Sequence, residues 1–94
     1  MRKKAIREFA RLLDIMDELR TKCPWDMKKT NQTLRKLTIE ETYELADAIL
    51  QDDNDGIRKE LGDLMLHVTF YAKIGSEKEL FDMGDVLEGM AGTL

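Results

Sequence analysis

The sequence contains few residues that break helices or crosslink a chain. One proline and six glycines occur in 94 residues, and the abundance of Leu, Met, Lys and Glu favours helices over sheets. The single cysteine, Cys23, excludes an internal disulfide, which fits a reducing cytoplasm. No run approaches the roughly 20 apolar residues that a membrane span requires. We therefore expect an all-α, cytoplasmic protein with no membrane contact.

A basic excess is also absent. The chain has 15 basic and 19 acidic side chains, for a formal net charge of -4. A protein that binds nucleic acid through its phosphates shows a basic surface or stripe, so we expect no nucleic-acid partner. An acidic protein that handles phosphates needs a cation between itself and the substrate. The content of 43% hydrophobic and 36% charged residues is that of one small globular domain.

Apolar residues recur at helical spacing through most of the chain. Thr38 to Glu41 has the spacing of a capping box, which would restart the second helix there, but the continuous apolar pattern favours one helix. Gly75-Ser76 predicts the end of the third helix. Together these patterns predict four helices, over about residues 3–20, 31–51, 55–74 and from 82 onward, with a loop over about 21–30.

Two of the predicted helices carry carboxylates where core residues are expected. At about 100° per residue, Glu41 falls near the middle of the apolar stripe of the second helix and Glu44 lies on its margin. Glu60 and Asp63 repeat this arrangement on the third helix. The connecting turn is short, so the two helices should be antiparallel neighbours. Both pairs are about equally distant from the turn and should therefore lie level with each other.

Clustered carboxylates raise one another's pKa and are costly to desolvate. In one solution some of them stay protonated or pair with a lysine such as Lys59. In the other a divalent cation binds, and Mg²⁺ suits all-oxygen ligands and completes its shell with water and phosphates; Mn²⁺ is the alternative. A single glutamate at this spacing is most often a helix-edge residue that extends to water. The hypothesis of a metal site therefore depends on all four residues together.

Glu40-Glu41-x-x-Glu44 followed by Glu60-x-x-Asp63 resembles the E-E-x-x-E…E-x-x-D signature of the MazG-like, all-α nucleoside triphosphate pyrophosphohydrolases. The resemblance implies hydrolysis between the α- and β-phosphates to a nucleoside monophosphate and pyrophosphate. Carried over residue by residue, Glu41, Glu44, Glu60 and Asp63 are the expected Mg²⁺ ligands. A positioned water must also lose a proton. Either Glu40 or Glu41 accepts it, and the sequence leaves that choice open.

Other segments agree with the same family. Cys23-Pro24-Trp25-Asp26 is similar to its C-P-W-D loop, and Glu60-Leu61-Gly62-Asp63-Leu64 to its E-L-G-D-L segment. The resemblance covers about residues 9–90. It implies a four-helix MazG-type bundle that dimerises, as a homodimer or further to a tetramer.

The candidate substrate-binding residues are Trp25, Lys28, Arg35 and Lys59. Trp25 offers a stacking surface for a nucleobase, although a core anchor that pins its loop is equally consistent with the sequence. Arg35 suits a bidentate phosphate contact. Lys28 and Lys59 would attract the triphosphate or simply remain solvated. For His67, a packed and hydrogen-bonded core position is favoured over a role as ligand of a softer metal.

Family members often continue into a basic tail past the last helix, whereas this chain ends at Leu94. We expect one MazG-like domain over residues 1–94. Truncation at the C-terminus and a single-domain version of a longer protein both fit this ending. A different class of function also stays open, in which a non-catalytic helical module binds metal or nucleotide and serves in assembly or regulation. The preferred nucleotide is not evident from the sequence.

Overall fold

The computed structural model describes residues 1–94, and all of its regular structure is helical. The helices are α1 (Arg2–Lys22), α2 (Pro24–Met27), α3 (Asn31–Leu50), α4 (Asn54–Glu77) and α5 (Met83–Thr93). The all-α prediction is confirmed. The sequence predicted four helices and missed α2, a single helical turn that begins with a proline inside the predicted loop. No helix combines the length and the apolar character that a membrane span needs.

The chain divides into two compact units. The hairpin unit, Thr30–Val68, contains α3 and the first part of α4. The terminal unit, Met1–Lys29 with Thr69–Leu94, contains α1, α2, the rest of α4 and α5. Buried apolar side chains of the hairpin unit are Leu34 and Ala48, and those of the terminal unit are Met16, Phe70, Ala72, Ile74 and Met83.

Helix α3 begins with a capping box and runs without interruption. The Thr33 amide donates to Thr30 Oγ1 at 3.2 Å, and the Thr30 amide donates to Thr33 Oγ1 at 2.9 Å, so two otherwise unpaired amides are satisfied. Thr38 lies inside the helix, where its hydroxyl donates to the Leu34 carbonyl at 3.1 Å. The continuous helix is confirmed, and the interpretation of Thr38 as a restart is wrong.

The turn between α3 and α4 is short because both helix ends are capped within it. Asp52 adopts a left-handed φ of 55°, and the Asp53 amide donates to the Ala48 carbonyl at 3.0 Å, as in a Schellman motif. Asp53 Oδ1 then accepts from the Gly56 amide at 3.1 Å. A Cβ at Gly56 would lie 2.5 Å from Asp53 Oδ2. Glycine at this position therefore allows the cap that starts α4.

Gly75 does not end α4, contrary to the prediction. The helix continues to Glu77, and a Cβ at Gly75 would lie 2.7 Å from ring atoms of Phe81. The glycine therefore makes room for an aromatic ring. The chain reverses later, at Glu79 with φ 57°, where the Leu80 amide donates to the Gly75 carbonyl at 3.0 Å.

Arg20 organises the terminal unit. Its Nε donates to Glu77 Oε2 at 2.9 Å and joins α1 to α4, while its Nη1 donates to the carbonyls of Asp26 at 2.8 Å and Lys29 at 2.9 Å. The guanidinium carbon also lies 5.5 Å from the centre of the Phe70 ring, within range of a cation–π contact. One largely buried side chain thus fixes the segment that carries α2.

Candidate functional site

The α3–α4 hairpin brings three carboxylates together. Glu41 of α3 and Glu60 and Asp63 of α4 each offer one oxygen, and these oxygens lie within 4.8 Å of one another. We call these three residues the carboxylate cluster. Thr38, three residues before Glu41, contacts His67, four residues after Asp63. Contacts therefore move back along α3 as they move forward along α4, so the two helices are antiparallel. The cluster lies entirely within the hairpin unit.

Glu44 adjoins the cluster without belonging to it. Its side chain is exposed, and a hydrogen bond to the Glu60 carboxylate together with the charge of Glu60 raises its pKa. Glu60 is therefore hydrogen-bonded to two glutamates of α3. Three of the four expected carboxylates meet directly, and the fourth contacts the central one.

Burial and like charge make the cluster electrostatically strained. Glu60 is only 8% exposed. A hydrogen bond to Glu60, burial, and the charges of Glu60, Asp63 and Glu44 raise the pKa of Glu41 to about 7. The pKa of Glu60 is lowered, because hydrogen bonds to Glu41 and Glu44 and the neighbouring Lys59 favour its ionised form. Within the cluster, the ionised form is therefore favoured most at Glu60 and the protonated form at Glu41.

Lys59 provides the positive charge nearest to the cluster. Its Nζ lies 3.2 Å from Glu60 Oε1 and 3.3 Å from Asp63 Oδ2. The hydrogen bonds to both carboxylates raise the pKa of Lys59. The Lys59 side chain is 69% exposed, so the ammonium approaches from the solvent side. It partly neutralises Glu60 and Asp63 and leaves Glu41 without a cation.

The donor set fits a hard divalent cation. Glu41 Oε1 and Glu60 Oε2 are buried and have no hydrogen-bond partner when both groups are ionised. A buried carboxylate oxygen without a partner is costly, and a bound cation would satisfy both oxygens at once. Three carboxylates with no nitrogen or sulfur ligand are the chemistry that Mg²⁺ or Mn²⁺ selects.

The remaining candidate residues are exposed. Glu40 precedes Glu41 on α3 and lies outside the cluster, and Arg35 is exposed near the start of the same helix. Lys28 caps the end of α2. Neither Arg35 nor Lys28 forms an ion pair, so both remain available to an anion. Trp25 is 76% exposed, which excludes a core anchor within this chain. Trp25 and Lys28 belong to the terminal unit and the other two to the hairpin unit.

A separate cavity of about 280 Å³ in the terminal unit is a poorer candidate. Its charged lining residues are already paired, since Lys73 Nζ lies 2.9 Å from Asp17 Oδ1 and Asp82 accepts from the Asp85 amide at 2.9 Å to cap α5. A phosphate would have to break these interactions. The carboxylate cluster is therefore the stronger candidate site.

One polar contact beside the cluster was not predicted from the sequence. Thr38 Oγ1 lies 2.9 Å from His67 Nδ1 and joins α3 to α4. The expectation that His67 is hydrogen-bonded is confirmed, and its side chain is half-buried rather than in the core. Thr38 is three residues before Glu41, so helical spacing predicts that the two share a helix face. The same Ser/Thr-x-x-Glu spacing is also that of a capping box, which is how Thr38 was interpreted from the sequence.

Comparison with known proteins gives a consistent result. A family model described as the MazG nucleotide pyrophosphohydrolase domain matches residues 29–92. The chain is 43% identical over 90 residues to a nucleoside triphosphate pyrophosphohydrolase of Escherichia coli K12. This match covers 93% of the chain and 34% of that protein. It is 42% identical over 81 residues to the nucleoside triphosphate pyrophosphohydrolase/pyrophosphatase MazG of Thermotoga maritima, covering 84% of the chain and 32% of that protein. The chain thus spans about a third of the length of these relatives.

Proposed function

Because the chain belongs to the MazG nucleotide pyrophosphohydrolase family, we propose that it hydrolyses nucleoside triphosphates between the α- and β-phosphates. The products are a nucleoside monophosphate and pyrophosphate. The observation that carries the proposal is the convergence of Glu41, Glu60 and Asp63 within 4.8 Å. The names of the relatives support the substrate class. The chain has the acidic centre that such a reaction needs.

In this proposal Glu41, Glu60 and Asp63 hold Mg²⁺, and Glu44 contributes from the exposed side. When bound, the cation neutralises phosphate oxygens and helps to orient the attacking water. The oxygens without hydrogen bonds on Glu41 and Glu60 favour these two residues as ligands. A carboxylate engaged by a metal is a weaker proton acceptor, so we assign the water's proton to Glu40, which lies outside the cluster.

The phosphate chain requires positive charge beyond the metal. Lys59 already lies at the solvent side of the cluster, and a cation bound there would release its ammonium to a phosphate oxygen. Arg35 has no acidic partner and offers a planar, bidentate donor. In the terminal unit, Trp25 and Lys28 stay candidates for nucleotide binding, because an exposed indole stacks on any base and the Lys28 ammonium forms no ion pair.

We also propose that the protein is a homodimer. Apolar side chains are exposed on α5 and on α1, among them Leu87, Met90 and Ile6. A short chain buries a limited fraction of its surface alone, and contiguous exposed apolar side chains mark association surfaces.

The test is a panel of nucleoside triphosphates with Mg²⁺, in which monophosphate and pyrophosphate are measured together. We expect both products in equal amounts. Asp63→Asn should lower turnover by at least about a hundredfold, because metal stabilisation of transition-state charge is worth several kcal/mol. Asp47→Asn, an exposed carboxylate on α3 outside the cluster, is the matched control and should retain turnover.

Three results would contradict the proposal. Full turnover by Asp63→Asn with native circular dichroism would remove the cluster from the reaction. Release of a diphosphate and orthophosphate would place the cleavage at a different bond. Binding of Mg²⁺ and nucleotide without any product would identify a non-catalytic module.

A further inference from the structure

The hydrogen bond between Thr38 and His67 lies next to the carboxylate cluster along both helices. Thr38 is three residues before Glu41 on α3, and His67 is four residues after Asp63 on α4. Residues three or four apart share a helix face. The 2.9 Å contact therefore ties the two helices together about one turn from the cluster, on the side away from the connecting turn.

The Thr38 hydroxyl also lies 3.1 Å from the Leu34 carbonyl. A threonine hydroxyl donates one hydrogen and accepts through its lone pairs, so it can serve both contacts. Which atom donates in the contact with His67 depends on the tautomer of the imidazole.

The cluster itself exerts the opposite force on the hairpin. Glu41 lies on α3, whereas Glu60 and Asp63 lie on α4, so repulsion between their charges pushes the two helices apart. The Lys59 ammonium reduces that repulsion without bridging the helices, because it bonds only to residues of its own helix. The hydrogen bonds of Glu41 and Glu44 to Glu60 do join the helices, but each of them needs a proton that a bound cation would displace. A hydrogen bond between the helices therefore opposes their separation close to the position where the carboxylates repel each other.

We propose that Thr38 and His67 are positioning residues whose hydrogen bond holds α3 and α4 at the spacing at which the carboxylate cluster binds a divalent cation. This inference rests on the proposed function, since it takes the cluster to be a metal site. The bond contributes by keeping the ligands in place before the cation arrives. Its loss should weaken metal binding at constant fold.

The experiment is calorimetric titration of the full chain with Mg²⁺ alone, without nucleotide. Thr38→Val keeps the shape of the side chain and removes its hydroxyl, and it should raise the Kd by about threefold to tenfold, the range expected for one hydrogen bond. Thr38→Ser keeps the hydroxyl and should restore wild-type affinity. Thr42→Val is the matched control, because the Thr42 hydroxyl donates only to Ile39 of its own helix at 2.7 Å.

A second readout follows the imidazole directly. His67 is the single histidine of the chain, so its ring nitrogens are identified in a ¹⁵N NMR spectrum without further assignment. We expect the Nδ1 signal to shift in Thr38→Val, because its hydrogen bond to the hydroxyl is lost, and to stay in place in Thr42→Val. If Thr38→Val does not fold, His67→Asn, whose amide can hydrogen-bond in place of Nδ1, should bind Mg²⁺ more tightly than His67→Leu.

The outcomes separate this inference from the proposed function. Wild-type Mg²⁺ affinity in folded Thr38→Val, or an Nδ1 signal that does not change in that variant, would overturn the positioning role and leave the enzyme proposal standing. Absence of Mg²⁺ binding by the wild-type chain would overturn both. At saturating Mg²⁺, kcat of Thr38→Val should approach that of the wild type, and a persistent loss of kcat would also overturn the positioning role.

Discussion

Glu60 is the residue on which the site's electrostatics converge. It is buried and hydrogen-bonded to Glu41, Glu44 and Lys59, and these contacts lower its pKa. A divalent cation would supply more positive charge than these contacts together. In the proposed metal site, proton, ammonium and metal would therefore compete for one carboxylate.

Glu40 and Glu41 are neighbours with different assigned roles, and substitution separates them. Glu40→Gln should leave the Mg²⁺ Kd unchanged within about twofold, as for a surface residue, and lower kcat by roughly 10²- to 10⁴-fold, the usual contribution of a general base. Glu41→Gln should instead lose Mg²⁺ binding. Calorimetry and steady-state kinetics check both. Full kcat in Glu40→Gln would assign the proton to another group.

At the scale of elements, the sequence predicted what depends on local spacing. Helical periodicity places residues 41 and 44 on one face of the second predicted helix, and residues 60 and 63 on one face of the third. The acidic turn at 52–55 predicted a short connection between these helices. Together the two patterns predicted that the carboxylates converge. The contact of Thr38 with His67 was not predicted because it depends on how each helix is rotated about its axis. Periodicity determines that rotation only to within a residue or so.

Gly75 shows a different limit. A glycine that ends a helix and a glycine that admits a neighbouring ring look alike in a sequence. Only the position of Phe81, six residues later, distinguishes them. In the same way, a single helical turn after Pro24 has the composition of a loop.

The packing of Phe81 on Gly75 predicts a large effect of a small substitution. Gly75→Ala places a Cβ 2.7 Å from the ring and should destabilise the protein by about 1–3 kcal/mol through overpacking. Gly62→Ala on the same helix meets no atom within 4 Å and should stabilise by up to about 1 kcal/mol through helix propensity. Urea unfolding measures both. Equal midpoints for the two variants would contradict the packing.

The tie between α1 and α4 predicts a pH dependence. The hydrogen bond from Arg20 lowers the pKa of Glu77 below its ordinary value of 4.5. The folded value lies below the unfolded one, so this interaction stabilises the protein above the unfolded pKa. Its contribution is lost as the pH falls through the folded value. Glu77→Gln should therefore lower Tm at neutral pH, and the difference from wild type should shrink below about pH 4.

Thermal unfolding across this pH range checks the expectation. Glu18→Gln, an exposed glutamate of α1, is the control and should follow the wild type at every pH. A constant difference between Glu77→Gln and wild type at all pH values would show that the ion pair is not its cause.

At the scale of the whole molecule, few apolar side chains are buried and many are exposed. If the exposed apolar side chains of α5 form a dimer interface, light scattering should give twice the 10.9 kDa chain mass. Met90 is 62% exposed on α5, and Met90→Glu should shift the mass toward that of one chain, because burying an unpaired charge at an interface is costly. A wild-type monomer at all concentrations would contradict the dimer.

An anomalous difference map from crystals grown with Mn²⁺ would test most directly whether acidic residues of neighbouring helices share a metal. The account predicts a peak among the carboxylate oxygens of Glu41, Glu60 and Asp63. A map without a peak at these oxygens, with the three side chains turned away from one another, would contradict it.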